Sequence, residues 1–128
     1  MGGTARGIAV IDDIPDNTEL IEATLSSICT MAEVSTFNSG RTFLTAFKNN
    51  SYAVILLDLF MPDLDGYQVC KSIRKIDALV PVIAFTAYPE ERDRALHSGF
   101  TAFIAKPIVD VNRFCELVRG WMDHRKAS

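Results

Sequence analysis

Residues 53–66 read AVILLDLFMPDLDG, and the sixth letter decides how the rest is read. Ala53 to Leu57 is an apolar run of strand type, suited to burial on both faces of a parallel sheet. The run ends in Asp58. An ionised carboxylate is costly to bury unless a cation or several donors meet it. Asp58 therefore belongs at a strand end, beside partners supplied from elsewhere in the chain. Pro62, Asp63 and Asp65-Gly66 follow as turn residues and close the strand off.

The same strand-then-helix unit recurs on both sides. Upstream, Ile8 to Ile11 is an apolar run that stops at Asp12-Asp13. Pro15 with Asp16-Asn17 signals a helix start, and Leu20, Ile21, Leu25 and Ile28 follow at helical spacing. Glu33 to Phe37 is a weaker second strand, and Ser39 is placed to cap a helix whose apolar face is Phe43, Leu44 and Phe47. Downstream, Val69, Cys70, Ile73 and Ile76 mark the third helix, and Val80 to Phe85 is a strand ending at Thr86. Pro89 with Glu90 and Glu91 opens a fourth helix, which Gly99 stops. Thr101 to Ala105 is the fifth strand. Asp110 caps a last helix with Phe114, Leu117, Val118 and Trp121 facing inward.

Strict alternation predicts an α/β, doubly wound (flavodoxin-like) fold. Its five parallel strands take the order 2-1-3-4-5, with helices on both faces. One domain is expected over residues 1–128, ordered over about residues 6–124.

Of the 128 residues, 48% are hydrophobic and 23% charged, which suffices for one core. A net charge of −3 argues against direct nucleic-acid binding. No 18-residue apolar stretch is present and MGGTARG lacks a signal-peptide core, so a cytoplasmic protein without membrane insertion is expected. Cys29, Cys70 and Cys115 are widely spaced within apolar patterns and read as small buried hydrophobes. His97 and His124 are solitary, which argues against a His/Cys metal site or a Cys–His nucleophile pair.

In an open parallel sheet, ligands bind beyond the carboxyl ends of the strands where the strand order reverses, here between the first and third strands. Those strands end at Asp12-Asp13 and Asp58. Each signal alone is weak, since an Asp-Asp pair is more often a cap or a solvated turn. Together they form a carboxylate cluster that a hard divalent cation, Mg²⁺, would relieve. Thr86 and Lys106 end the fourth and fifth strands at the same edge. An acid pair, an acid, a hydroxyl and an ammonium suit phosphoryl transfer to an aspartate.

In IDDIPDN, LLDLFMPDLDG, FTA and AKP, taken in this order and spacing, the chain resembles the receiver domains of two-component response regulators. The resemblance implies that Asp58 is the phosphoacceptor, taking a phosphoryl group from a phosphohistidine on a sensor histidine kinase or histidine phosphotransfer protein. It places Asp13, Asp58 and the Phe60 backbone carbonyl on Mg²⁺, with Asp12 acting through water. Thr86 would hydrogen-bond one phosphoryl oxygen and Lys106 would pair with another. Thr86 and Phe103 would form the switch, although Phe103 stands where Tyr is commoner, and Ile14 stands where many relatives are polar. A cis Lys106–Pro107 bond is implied as well. Phe60 and Tyr88 would flank the approach of a hydrolytic water.

Because Thr86 leads into the fourth helix and Phe103 lies in the fifth strand, the face of fourth helix, fifth strand and fifth helix is expected to serve partners or a homodimer. Activity is expected to be limited to the domain's own phosphorylation and dephosphorylation. A Mg²⁺-dependent phosphohydrolase would need a second Asp at position 60, where Phe60 stands. A flavodoxin-like cofactor binder would need a small-residue phosphate loop where IDDIPDN is acidic. A phosphorylation-independent receiver-like interaction module fits poorly with a complete site.

Overall fold

Strands and helices alternate through the computed structural model, which describes residues 7–28 and 33–127. The order is β1 (Gly7–Ile11), α1 (Pro15–Ile28), β2 (Glu33–Phe37), α2 (Gly40–Phe47), β3 (Val54–Leu57), α3 (Gly66–Ile76) and β4 (Val82–Thr86). A 3-10 turn (Pro89–Glu91), α4 (Arg92–His97), β5 (Ala102–Ala105) and α5 (Val111–Ala127) complete it. All four strand pairings are parallel, and the sheet runs β2-β1-β3-β4-β5. This is the predicted doubly wound topology. Cys29 and the side chain of His124 lie outside the described residues.

Successive residues of a strand point to opposite faces, so the central strands feed two cores. Ala9, Ile11, Ile55, Leu57, Val82 and Ala84 pack against α2, α3 and α4 through Phe43, Val69, Ile73 and Ala95. Ile8, Val10, Val54, Leu56, Ile83 and Phe85 pack against α1 and α5 through Ile21, Leu25, Phe114 and Val118. Burial on both faces is why β1, β3 and β4 are continuously apolar rather than alternating. Cys70 and Cys115 are buried in these cores without a disulfide, as their setting in the sequence suggested.

Local signals set most element ends. The Ser39 hydroxyl accepts the Thr42 amide at 3.1 Å, and the Asp110 carboxylate accepts the Arg113 amide at 3.0 Å. Gly99 takes φ +106°, a left-handed conformation that ends α4. Three expectations shift. Val80 is buried but precedes β4, because its amide bonds the Asp77 carboxylate and its carbonyl accepts Arg74. The residues from Pro89 first form a 3-10 turn and only then α4. Leu20 and Ile76 share helical spacing with core residues yet are 67% and 55% exposed. Leu20 borders an open groove beside Lys106, and Ile76 is the last residue of α3.

At the end of the sheet away from Asp58, Arg74 spreads its guanidinium across three segments. It donates to the carbonyls of Gly99 (2.9 Å) and Val80 (2.7 Å) and to the Thr101 hydroxyl (3.2 Å). A planar fork of fixed donors suits such a junction.

Candidate functional site

The strand register builds the site. Ile11 pairs with Leu57, so the next residues, Asp12 and Asp58, emerge side by side. The Asp58 amide continues the ladder onto the Ile11 carbonyl (3.0 Å), and the Asp12 amide onto the Phe37 carbonyl (3.0 Å). Thr86 pairs with Ala105, and the Lys106 amide bonds the Thr86 carbonyl at 2.8 Å. All five residues expected from the sequence at this sheet edge, Asp12, Asp13, Asp58, Thr86 and Lys106, therefore come together. The Lys106–Pro107 peptide is cis.

Asp12 is buried, and Asp13 and Asp58 are half-buried; one carboxylate oxygen from each lies within 4.8 Å of the others. Asp12 Oδ1 accepts the Ile14 amide (2.9 Å), while its Oδ2 accepts Asn17 Nδ2 (3.1 Å) and the Lys106 ammonium. Lys106 Nζ also stands 3.6 Å from Asp58 Oδ2 and 5.1 Å from the centre of the Phe85 ring. Asp58 Oδ1 accepts the Leu59 amide at 2.8 Å. Burial pushes the Asp58 carboxyl above its ordinary range; Lys106 opposes this, Asp12 adds to it, and the Leu59 amide opposes it.

Thr86 is fully buried, and its hydroxyl has no hydrogen-bond partner among the described residues. Against the larger raising effect of burial, it nonetheless lies near enough to Asp58 to lower that carboxyl. An orphaned buried hydroxyl is an uncommon and costly feature. Among the described residues, the three carboxylates, when ionised, face a single ammonium, so the cluster lacks two positive charges. A hard divalent cation matches both that deficit and the all-oxygen donor set.

The rim is apolar. Phe60 and Tyr88, 41% and 50% exposed, meet edge-to-face with ring centroids 5.1 Å apart. They bridge the β3–α3 loop to the segment after β4. A groove of about 230 Å³, lined by Leu20, Ile21, Phe85, Pro107, Ile108 and Val111, opens beside Lys106. Phe103 is half-buried and packs against the core on the α2–α4 side.

The β3–α3 loop is tightly folded. A Cβ at Gly66 would lie 2.4 Å from the Asp58 carbonyl oxygen, so only glycine fits, and the Gly66 amide bonds the Leu59 carbonyl at 2.7 Å. Asp65 caps α3 in a reciprocal capping box with Gln68, a D-x-x-Q pattern present in the sequence but passed over there as turn. Also not foreseen are the Asn17 bond to Asp12 and the bond from the Tyr67 hydroxyl to Glu91 (2.6 Å). Arg94 lies 4.0 Å over the Tyr67 ring and 3.4 Å from the Glu91 carboxylate, so α3 is latched to α4.

Residues 8–119 match the family model for the response regulator receiver domain. The chain belongs to this family. It is 38% identical over 114 residues to the response regulator PleD of Caulobacter vibrioides, covering 86% of this chain and 25% of that protein. It is 35% identical over 103 residues to the sensor histidine kinase RcsC of Escherichia coli K12, covering 79% of this chain and 11% of the kinase. The receiver thus spans a quarter or less of these curated relatives. The receiver domain of a sensor histidine kinase from Pseudomonas aeruginosa PAO1 superposes with TM-score 0.82 at 29% identity, covering 93% of this chain and 98% of that one. That structure has a magnesium ion coordinated in its active-site cleft. Among the described residues, no helix of this receiver is long and apolar enough to cross a membrane.

Proposed function

We propose that this receiver is a phosphoacceptor switch in which Asp58 takes a phosphoryl group from a phosphohistidine on a sensor histidine kinase or histidine phosphotransfer protein. The observation that carries the reading is the buried Thr86 hydroxyl, partnerless among the described residues and beside the Asp58–Lys106 pair. An unsatisfied buried donor costs about 1–3 kcal/mol, which an arriving phosphoryl oxygen would remove.

Asp58 Oδ1 is engaged by the Leu59 amide, which leaves Oδ2, 3.6 Å from Lys106 Nζ, as the attacking oxygen. Oδ2 forms the bond to phosphorus as the phosphorus–nitrogen bond to the donor imidazole breaks and its electron pair leaves with the ring nitrogen. Burial raises the basicity of the Asp58 carboxylate, which favours attack. Lys106, now on Asp12, turns part of its charge to a phosphoryl oxygen, and Thr86 donates to another. Asp13, Asp58 and the Phe60 carbonyl would hold Mg²⁺, with Asp12 through water, and the ion would supply positive charge against the carboxylates and the transferred group.

The same reading assigns the face of α4, β5 and α5 to partners or a homodimer. Its support is that Thr86 immediately precedes the segment leading to α4 and that Phe103 lies on β5. With Mg²⁺ and acetyl phosphate, intact mass is expected to rise by one phosphoryl group, and Asp58→Asn to abolish the rise. Equal phosphorylation of the Asn variant refutes the assignment. Mg²⁺ titration followed by NMR is expected to shift residues 12–13 and 58–60. Hydrogen exchange with and without a phosphoryl mimic tests the face: changes confined to residues 12–66 would count against it.

A further inference from the structure

The loop between β3 and α3 carries the Phe60 carbonyl, and its anchoring is uneven. Leu59 and Met61 are buried at 0% and 8% exposure, whereas Phe60 between them points outward. Within residues 59–64 the side chains other than Asp63 are apolar, so Asp63 is the one whose side chain can accept hydrogen bonds from a neighbouring element. It does so across the chain. Its Oδ2 accepts the Arg41 amide at 3.1 Å and its Oδ1 accepts the Gly40 amide at 3.4 Å, 22 and 23 residues away.

These amides belong to the first turn of α2, whose Thr42 amide is taken by Ser39. The start of α2 thus has two caps of different origin. Ser39 is local to the helix, whereas Asp63 belongs to the loop that borders the acidic cluster. Contact between helix and loop is close: a Cβ on Gly40 would meet Val69 Cγ2 at 2.6 Å and Leu64 Cβ at 3.2 Å. Desolvation would raise the Asp63 carboxyl, but amides from Leu64, Arg41 and Gly40 outweigh it and hold the group below its ordinary value, as a carboxylate serving as a cap requires.

We infer that Asp63 is a positioning residue for the metal site: by bolting the β3–α3 loop to the start of α2, it fixes where the Phe60 carbonyl points. The inference rests on the proposed Mg²⁺ site and adds a residue to its support. A backbone carbonyl cannot be replaced by mutation, so the loop's tether is what determines its aim. A purely structural cap would make Asp63 equivalent to Ser39, and that equivalence is testable.

The experiment compares Asp63→Ala, Asp63→Asn and Ser39→Ala in two measurements. In metal-free protein, Asp63→Ala is expected to speed amide exchange at Phe60 and Met61, while Ser39→Ala speeds exchange only within α2. By NMR titration, Asp63→Ala is expected to weaken Mg²⁺ binding on the order of 10-fold, and Ser39→Ala by less than about 2-fold, although both lose a cap. Asp63→Asn keeps one acceptor oxygen and is expected to fall between wild type and the Ala variant; it decides the matter if Asp63→Ala does not fold. Equal effects of the Asp63 and Ser39 variants on both measurements overturn the inference, as does unchanged loop exchange in both Asp63 variants. Wild type that binds no Mg²⁺ defeats the metal-site reading instead, and the metal-free exchange still decides the tether.

Discussion

Replacing Phe60 by Asn is expected to shorten the life of the phosphorylated receiver. Hydrolysis needs a water in line with the bond from Asp58 to phosphorus, opposite the leaving carboxylate. The receiver family's pattern implies that residues 60 and 88 flank that approach, and in the structure Phe60 and Tyr88 meet edge-to-face, perpendicular at 5.1 Å and joining two loops. The pair packs together instead of lying back separately on its loops. Neither ring orients a water as an amide does. Supplying a carboxamide at position 60 lowers the barrier by about 1–3 kcal/mol, a factor of roughly 5 to 150 in rate.

The same change removes an aromatic contact worth about 0.5 kcal/mol at a half-exposed site, so the urea midpoint should barely move. The assay is the decay of phosphorylated protein after donor removal, for wild type, Phe60→Asn and Phe60→Ala. Faster decay in both variants identifies steric shielding, and faster decay in the Asn variant alone identifies water orientation. Decay of Phe60→Asn no faster than wild type refutes control by Phe60 altogether.

Gly66→Ala is expected to cost about 1–3 kcal/mol in urea unfolding, because the new methyl has no room beside the Asp58 carbonyl. Metal-free Asp58→Asn should be more stable than wild type at pH 7. Burial raises the Asp58 carboxyl, so its protonated form favours the folded state, and that stabilisation is lost as pH rises through the folded value. The difference should close as pH falls below the unfolded carboxyl value of about 3.9, and a persistent gap at low pH would contradict the assignment. Burial, then the Glu91 hydrogen bond, push the Tyr67 phenol far above its ordinary 10.0. Its contribution is complete below that value and lost as pH climbs above it, so wild type should lose urea resistance under alkali more steeply than Tyr67→Phe.

The fold was legible because each central strand is buried on both faces, which leaves an unbroken apolar run that turns polar only at its carboxyl end. The same rule located Asp12, Asp13, Asp58, Thr86 and Lys106 together, since strand order fixes which ends are neighbours. The contacts that escaped are of another kind. Asp63 reaches Arg41, Tyr67 reaches Glu91 and Arg74 reaches Thr101 across 22, 24 and 27 residues. Such pairs have no periodicity, and each residue alone reads as a solvated loop or helix side chain. The exposure of Leu20 had the same origin: spacing identifies a helical face but not what fails to cover it. The capping box at Asp65 and Gln68 was in plain view, and only the density of turn residues around it obscured the pattern.

The grip of Arg74 on Gly99 has a mechanical side. Beyond α4 the chain is fastened by the Arg74 bond to the Gly99 carbonyl and by the Thr101 amide on the Val82 carbonyl at 2.8 Å. The start of α4 is held chiefly by the Tyr67–Glu91–Arg94 contacts, and Ala95 is its only fully buried residue. The six-residue α4 is thus riveted to the backbone at one end and clasped by side chains at the other. If phosphorylation of Asp58 moves Thr86, this fastening is expected to turn the movement into a tilt of the outer surface of α4 about its glycine end rather than a slide.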